Sequence, residues 1–321
     1  MSEFDLIRQY FTRPPDATAR IGLGIGDDCA LLRAATGCDL AISTDMLVEG
    51  RHFFAGAEPE ALGHKCLAVN LSDLAAMGAA PVAFTLALAL PAAEPDWLAA
   101  FSRGLLALAD ASGCALIGGD TTRGPLTISI TVFGDVPPTL ALRRDAARPG
   151  DEIWVSGTLG DARLALGACL NETTLDAGQF NDASTRLHRP TPRLALGMAL
   201  RGIARAAIDI SDGFAGDLEH ILERSGCGAS VDVDALPLGP VLRSQARALQ
   251  RSCTLAGGDD YELCFTAAPD RHDAVLAAAH ASATPVACVG IIDALPGLRL
   301  HDATRQPYFL TQHSFDHFKT P

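Results

Sequence analysis

A chain of 321 residues, 48% apolar and 20% charged, is long enough for two domains of ordinary size and reads as globular. Its formal net charge of −13 argues against nucleic acid and an anionic membrane surface as partners, because both need a basic face. Phosphate ligands stay open, provided that divalent cations bridge them.

Lysine occurs only at Lys65 and Lys319, so a lysine-dependent mechanism in the first three hundred residues has to use Lys65. The nine cysteines contain no C-x-x-C spacing and are odd in number. That fits reduced thiols in the cytoplasm better than disulfides or a zinc site. The opening MSEFDLIRQYF carries two early acids and no apolar segment, so no signal peptide is expected and a cytoplasmic location is.

Taken in chain order, residues 38–45 read as a short strand. Glu60 to Met77 reads as a helix, with Leu62, Cys66, Val69, Asp73 and Ala76 at helical spacing. Leu74 to Ala93 has no charge and is long enough for a bilayer. However, Gly78, Pro81 and Pro91 divide it into a helix end, a turn and a buried strand. A second amphipathic helix follows at 96–112, then strands at 115–120 and 125–136.

A Pro-Gly turn near residue 149 restarts the pattern with a strand, a glycine loop and a helix. It places the domain boundary there, giving domains 1–148 and 149–321. Asn171 to Arg193 is polar and reads as a long loop. Residues 206–213 form a buried strand running into an Asp-rich turn. Phe214 to Arg224 is a helix stopped by Gly226, and 257–267 is a turn followed by a strand. Strands and helices alternate throughout, so the class is mixed α/β. A weak echo between GGDTT (118–122) and GGDDY (257–261) points to two halves of related layout.

The stretch GLGIGDD, Gly22 to Asp28, resembles a phosphate-cradling loop that ends in two acids. A dinucleotide fingerprint fails at Asp27, where a third glycine is required. A Walker loop fails because no Gly-Lys pair exists. Aspartates gather instead at the ends of apolar strands: Asp27, Asp28, Asp45, Asp120, Asp209, Asp212, Asp259 and Asp260, with Asp73 on a helix. Two carboxylates 4 Å apart repel by roughly 4 kcal/mol at an effective dielectric of 20. Arginines could neutralise some of them. Hard cations with oxygen ligands, Mg²⁺ above all, explain several converging clusters better. Any one Asp beside a Gly is also ordinary turn chemistry, and Ser72 and Ser211 serve equally well as helix caps.

In order, GIGDDCALL, AISTDMLVEGRHF, LAVNLSDLAAMGA, LIGGDTTRGP, LRRDAARPGD, AIDISDG and GGDDYELCF resemble the thiamine-monophosphate kinase family across residues 4–318. That family is related to aminoimidazole ribonucleotide synthetase, selenophosphate synthetase and the carbamoyl-dehydrating hydrogenase maturation factor. The resemblance implies a two-domain aminoimidazole ribonucleotide synthetase-like fold. It also implies a homodimer joined through N-terminal sheets, with ATP and several Mg²⁺ ions near that junction and a C-terminal domain completing the site.

The resemblance makes Asp28, Ser43, Thr44, Asp45, Asp73, Asp120, Asp209 and Asp212 Mg²⁺ ligands. Gly119, Asp120, Arg144 and Ser211 become ATP contacts, and His52, Asp259 and Phe315 substrate contacts. Asp45, Asp120 and Arg144 carry the catalysis. Two positions depart from the family pattern. Asp259 stands where Glu is common, and Phe315 where Tyr is common; the first shortens the reach and the second loses a hydroxyl.

The implied reaction passes a phosphoryl group from ATP to thiamine monophosphate. The acceptor is a phosphate already anionic at pH 7, so no general base is needed. The alternatives are another ATP-dependent synthetase or phosphotransferase of the same superfamily, a metal-dependent phosphatase, or a non-catalytic nucleotide-binding regulator. Cys29 lies in an apolar run and the chain ends in HFKTP, which disfavours the selenophosphate and hydrogenase-maturation chemistries.

Overall fold

The computed structural model describes residues 3–13 and 20–310. Phe315 lies outside them. The described residues form two compact units. One takes the residues through Leu74 together with Ala79–Thr139; the other takes Ala75–Gly78 and everything from Leu140 onward.

The first unit opens with the short helix α1 (Glu3–Leu6), which runs into a π-helical turn, Ile7–Phe11. The small strands β1 (Ile21–Leu23) and β2 (Leu31–Leu32) pair antiparallel. Then come β3 (Asp39–Val48), α2 (Pro59–Ala76), β4 (Ala80–Leu90), α3 (Pro95–Ser112), β5 (Ala115–Arg123) and β6 (Thr127–Val136). The four long strands form one sheet in the order β3-β6-β4-β5, parallel only between β4 and β5. The β4–α3–β5 segment is therefore a helical crossover, the connection a parallel pair requires.

Helix α3 starts at Pro95, whose missing N–H is no loss in a first turn, and stops at Gly113 in the left-handed region. It buries Leu98, Phe101 and Leu105. Backbones of α2 and α3 touch: a side chain at Gly104 would lie 1.8 Å from Glu60 O.

The charge-free stretch from Leu74 divides as expected into the end of α2, a turn, and β4. No helix among the described residues is long and apolar enough to cross a membrane. Asp45 and Asp120 correct the strand-end reading. Both sit within strands, because β3 continues through Met46, Leu47 and Val48 and β5 through Thr121, Thr122 and Arg123, all on ladder positions.

The second unit contains β7 (Glu152–Ser156), α4 (Asp161–Cys169), α5 (Ala177–His188), α6 (Leu194–Ala199), β8 (Ala204–Ile210), α7 (Phe214–Ser225) and β9 (Gly228–Asp232). It continues with α8 (Arg247–Ala256), β10 (Glu262–Ala267), α9 (His272–Ala281), β11 (Val286–Asp293), β12 (Gly297–His301) and β13 (Pro307–Tyr308). Its sheet has seven strands, ordered β13-β12-β9-β11-β7-β10-β8. Apolar side chains fill both faces. Ile153, Val155 and Cys264 join Phe214 and Leu218 of α7. Trp154 and Phe265 join Leu196 of α6 and Val275 of α9. The alternation along β7 produces this division, and β10 is buried at every residue.

Helix α5 overturns the long loop expected between Asn171 and Arg193. The helix buries only Ala183 and Leu187, so its apolar stripe is thin. A capping box starts it: Asp176 accepts from the Gln179 N–H at 2.9 Å, and the Asp176 N–H donates to Gln179 Oε1 at 3.2 Å.

Candidate active site

The opening glycine loop sits beside a cavity of about 1110 Å³ in the first unit. Of Gly22, Gly24 and Gly26, only Gly26 has a positive φ, +128°. The Asp28 N–H donates to Asp27 Oδ1 at 2.9 Å, so Asp27 closes the turn and the exposed Asp28 is carried at its tip. Asp27, Asp28 and Asp120 all line the cavity, and among the described residues the one cationic side chain lining it is Arg8. Lys65 is 5% exposed on α2 and does not line it.

Gly119, in the wall beside Asp120, adopts φ +150°. A Cβ there would lie 1.8 Å from Leu86 O. Glycine is what lets β5 run this close to β4 while baring its backbone to the cavity.

Strand β3 carries the next group. Ser43 Oγ donates to Asp73 Oδ2 at 2.5 Å, and the Asp45 N–H donates to Asn70 Oδ1 at 3.0 Å. Ser43 and Asp45, two residues apart, therefore face α2. Thr44 faces the other way and shares a 2.8 Å hydrogen bond with Thr131. Asp45 stands opposite Ile130, and Ile130 opposite Leu86. Asp120 stands on the neighbouring rung, opposite Ala87, which continues through Ser129 to Met46. Neighbouring rungs point to opposite faces, so the ladder separates the Asp45 and Asp120 carboxylates.

His52 ends the turn after β3. Its Nδ1 accepts the Val48 N–H at 3.0 Å, which holds the ring close to the strand it follows.

In the second unit, Asp209 is buried near the end of β8, and Ser211 and Asp212 follow in the turn that leads to α7. Asp217 fastens this turn. Its Oδ2 accepts the N–H groups of Ser211, Asp212 and Gly213 at 3.0, 3.1 and 3.1 Å. Burial, then the charge of Asp212, pushes the Asp217 carboxyl up to about 7, against the pull of those amides. Asp259 meets the same turn by donating its N–H to Ser211 O at 2.9 Å.

Arg144 is exposed and makes no side-chain hydrogen bond or ion pair among the described residues, whereas Arg143 is held by Asp145. Ser225 Oγ fixes the Arg144 main chain by donating to its carbonyl at 2.8 Å. Among the described residues no three His, Cys, Asp or Glu side chains converge as a metal cage. The Mg²⁺ ligands expected from the sequence are nevertheless all oxygen donors, the set a hard cation takes. Mg²⁺ is commonly held by one or two carboxylates, with substrate phosphates and water completing its shell.

Sequence reasoning missed one buried network. Glu262 is fully buried and accepts from Arg186 Nη2 at 2.8 Å and from Arg193 Nε at 2.6 Å. Ser156 Oγ adds a third bond at 2.7 Å. Asp260, 1% exposed, takes the Gly160 N–H with both oxygens, and burial raises its carboxyl well above the usual range. A Glu inside an apolar strand is the available signal, because such a group requires partners.

Comparison with known proteins fits this arrangement. The family model for AIR synthase related protein, N-terminal domain, matches residues 26–136. The model for the C-terminal domain of the same family matches residues 148–303. Thiamine-monophosphate kinase from Salmonella typhimurium is 46% identical over 327 residues, covering 99% of each chain. The crystal structure of thiamine-monophosphate kinase from Stenotrophomonas maltophilia K279a aligns with TM-score 0.84 and 49% identity, covering 88% of this chain and 92% of that one. A structure of AaThiL complexed with AMPPCP and TMP aligns with TM-score 0.78 and 28% identity, covering 89% of each. The chain belongs to the thiamine-monophosphate kinase family, within the AIR synthase related proteins.

Proposed function

We propose that this chain transfers a phosphoryl group from ATP directly to thiamine monophosphate, giving ADP and thiamine diphosphate. The observation that carries this reading is the charge of the cavity: among the described residues, three carboxylates line it against one guanidinium, and no lysine or histidine does. A bare polyphosphate would be repelled there. A polyphosphate bridged by cations would be held.

Asp28, Asp45, Asp73, Asp120, Asp209 and Asp212, with Ser43 and Thr44, would hold several Mg²⁺ ions. When bound, these ions neutralise the phosphates and the charge that develops during transfer. The chain's own groups bind and orient. Gly119 leaves room for a phosphate beside β5. Arg144, unengaged by any carboxylate among the described residues, supplies a planar fork matched to phosphate oxygens. Ser211 would be a further ATP contact, and His52 and Asp259 would contact the thiamine portion. The acceptor phosphate, with a second pKa near 6 and so already largely anionic at pH 7, attacks in line without a general base.

Two copies are proposed to join through the outward face of β3, where Leu40, Ile42 and Met46 are 39%, 59% and 57% exposed. These apolar residues share one exposed face of an edge strand, with Thr44 between Ile42 and Met46, and an edge of this kind is one a partner covers.

Incubation with ATP, Mg²⁺ and thiamine monophosphate tests the reading. Thiamine diphosphate and ADP are expected in equal amounts. ADP formed without thiamine diphosphate would reject it in favour of another acceptor or a phosphatase.

A further inference from the structure

The turn 257–261 holds two non-glycine residues in the left-handed region, Asp259 at φ +68° and Tyr261 at φ +51°. Such conformations persist only where the surroundings over-determine them. Here the surroundings are unusually complete. The Asp259 N–H is bonded to Ser211 O, and the Tyr261 N–H donates to Ile210 O at 2.8 Å. The residue between them, Asp260, is held through its carboxylate by the Gly160 N–H. Its carbonyl accepts from Arg186 Nη2 at 3.1 Å.

That same nitrogen of Arg186 donates to Glu262 Oε1. Arg193 closes on both oxygens of Glu262, with Nη2 to Oε1 at 2.5 Å completing a fork. Arg186 and Arg193 are 19% and 17% exposed at their side chains, and Glu262 is not exposed at all. A buried Arg–Glu–Arg cluster is a poor source of stability, since apolar residues of equal volume often do as well. What it supplies here is direction. Arg186 reaches past Glu262 to the main chain of the turn, midway between the two left-handed residues.

We propose that Arg186, braced by Glu262 and Arg193, is a positioning residue that fixes Asp259 for contact with the acceptor substrate, so that its loss weakens acceptor binding and spares ATP binding. This rests on the reading above in which Asp259 faces thiamine monophosphate. It also gives α5 a purpose: the helix delivers Arg186 to the turn.

The test compares full-length wild type, Arg186→Gln and Arg186→Lys by steady-state kinetics and by hydrogen exchange. In Arg186→Gln the KM for thiamine monophosphate rises about tenfold or more, while the KM for ATP stays within about twofold. The amides of Asp259 and Tyr261 exchange faster, and that of Cys264, inside β10, does not. Arg186→Lys, which keeps the charge beside Glu262, recovers part of the acceptor affinity; it decides the matter if the Gln variant does not fold. Equal changes in both KM values, or unchanged exchange at Asp259 and Tyr261, overturn the proposal. A wild type that makes no thiamine diphosphate overturns the functional reading instead, and the exchange comparison then still decides whether Arg186 fixes the turn.

Discussion

The Ser43 hydroxyl donates to Asp73 Oδ2 across 2.5 Å, tying β3 to α2. A hydroxyl donor and a carboxylate acceptor at this distance form a strong charge-assisted hydrogen bond. Asp73→Asn keeps an oxygen able to accept but removes the charge. The expected result is a loss of about 100-fold or more in kcat/KM, equivalent to roughly 3 kcal/mol of transition-state stabilisation. The melting temperature should change little. Steady-state kinetics beside a thermal melt checks both.

Asp45 and Asp120 sit on ladder rungs whose backbone bonds do not need their side chains. Asp45→Asn and Asp120→Asn should each abolish turnover while circular dichroism stays native. Removal of Mg²⁺ with EDTA should have the same effect on the unmodified protein. Near-normal kinetics for both variants at saturating Mg²⁺ would contradict a role for either carboxylate.

Gly119 has no room for a side chain, with a Cβ falling 1.8 Å from Leu86 O at φ +150°. Gly119→Ala must force β5 away from β4. A loss of about 3 kcal/mol is expected, in the range of core overpacking joined to backbone strain. Urea unfolding measures it through the midpoint.

Asp234 accepts both nitrogens of the Arg251 fork, at 2.9 and 2.8 Å, together with Arg247 and the Ala303 N–H. The Arg251 hydrogen bonds hold its carboxyl well below the usual range, against the cost of burial. A carboxyl depressed in the folded state stabilises the fold above the ordinary carboxylate pKa and loses that contribution as pH falls through its folded value. Asp234→Asn should therefore be less stable than wild type by about 1 kcal/mol at pH 7, after solvent screening. The gap should narrow as pH drops below about 4. Denaturant titrations across that range read it directly, and a pH-independent gap would refute the assignment.

Helices α3 and α7 were legible because their apolar residues repeat with the period of the element, whereas α2 is buried almost all round and was marked by its length and the Gly78 turn that ends it. Helix α5 was not, since Ala183 and Leu187 alone give no stripe. Its capping residues Asp176 and Gln179 were the available local sign, and Asp176→Ala should cost the fold about 1 kcal/mol by urea unfolding. Candidate carboxylates stood out as acids beside glycines and apolar runs. Which of them share a face did not, because Asp45 and Asp120 are related only through the register of four strands. The Glu262 network was hidden for a similar reason: Arg186 and Arg193 lie 76 and 69 residues from their partner.

The most direct measurement follows the label from [γ-³²P]ATP in the presence of Mg²⁺ and thiamine monophosphate. The account predicts that the label appears in thiamine diphosphate, one for each ADP formed. Label released as inorganic phosphate, with thiamine monophosphate unchanged, would contradict it.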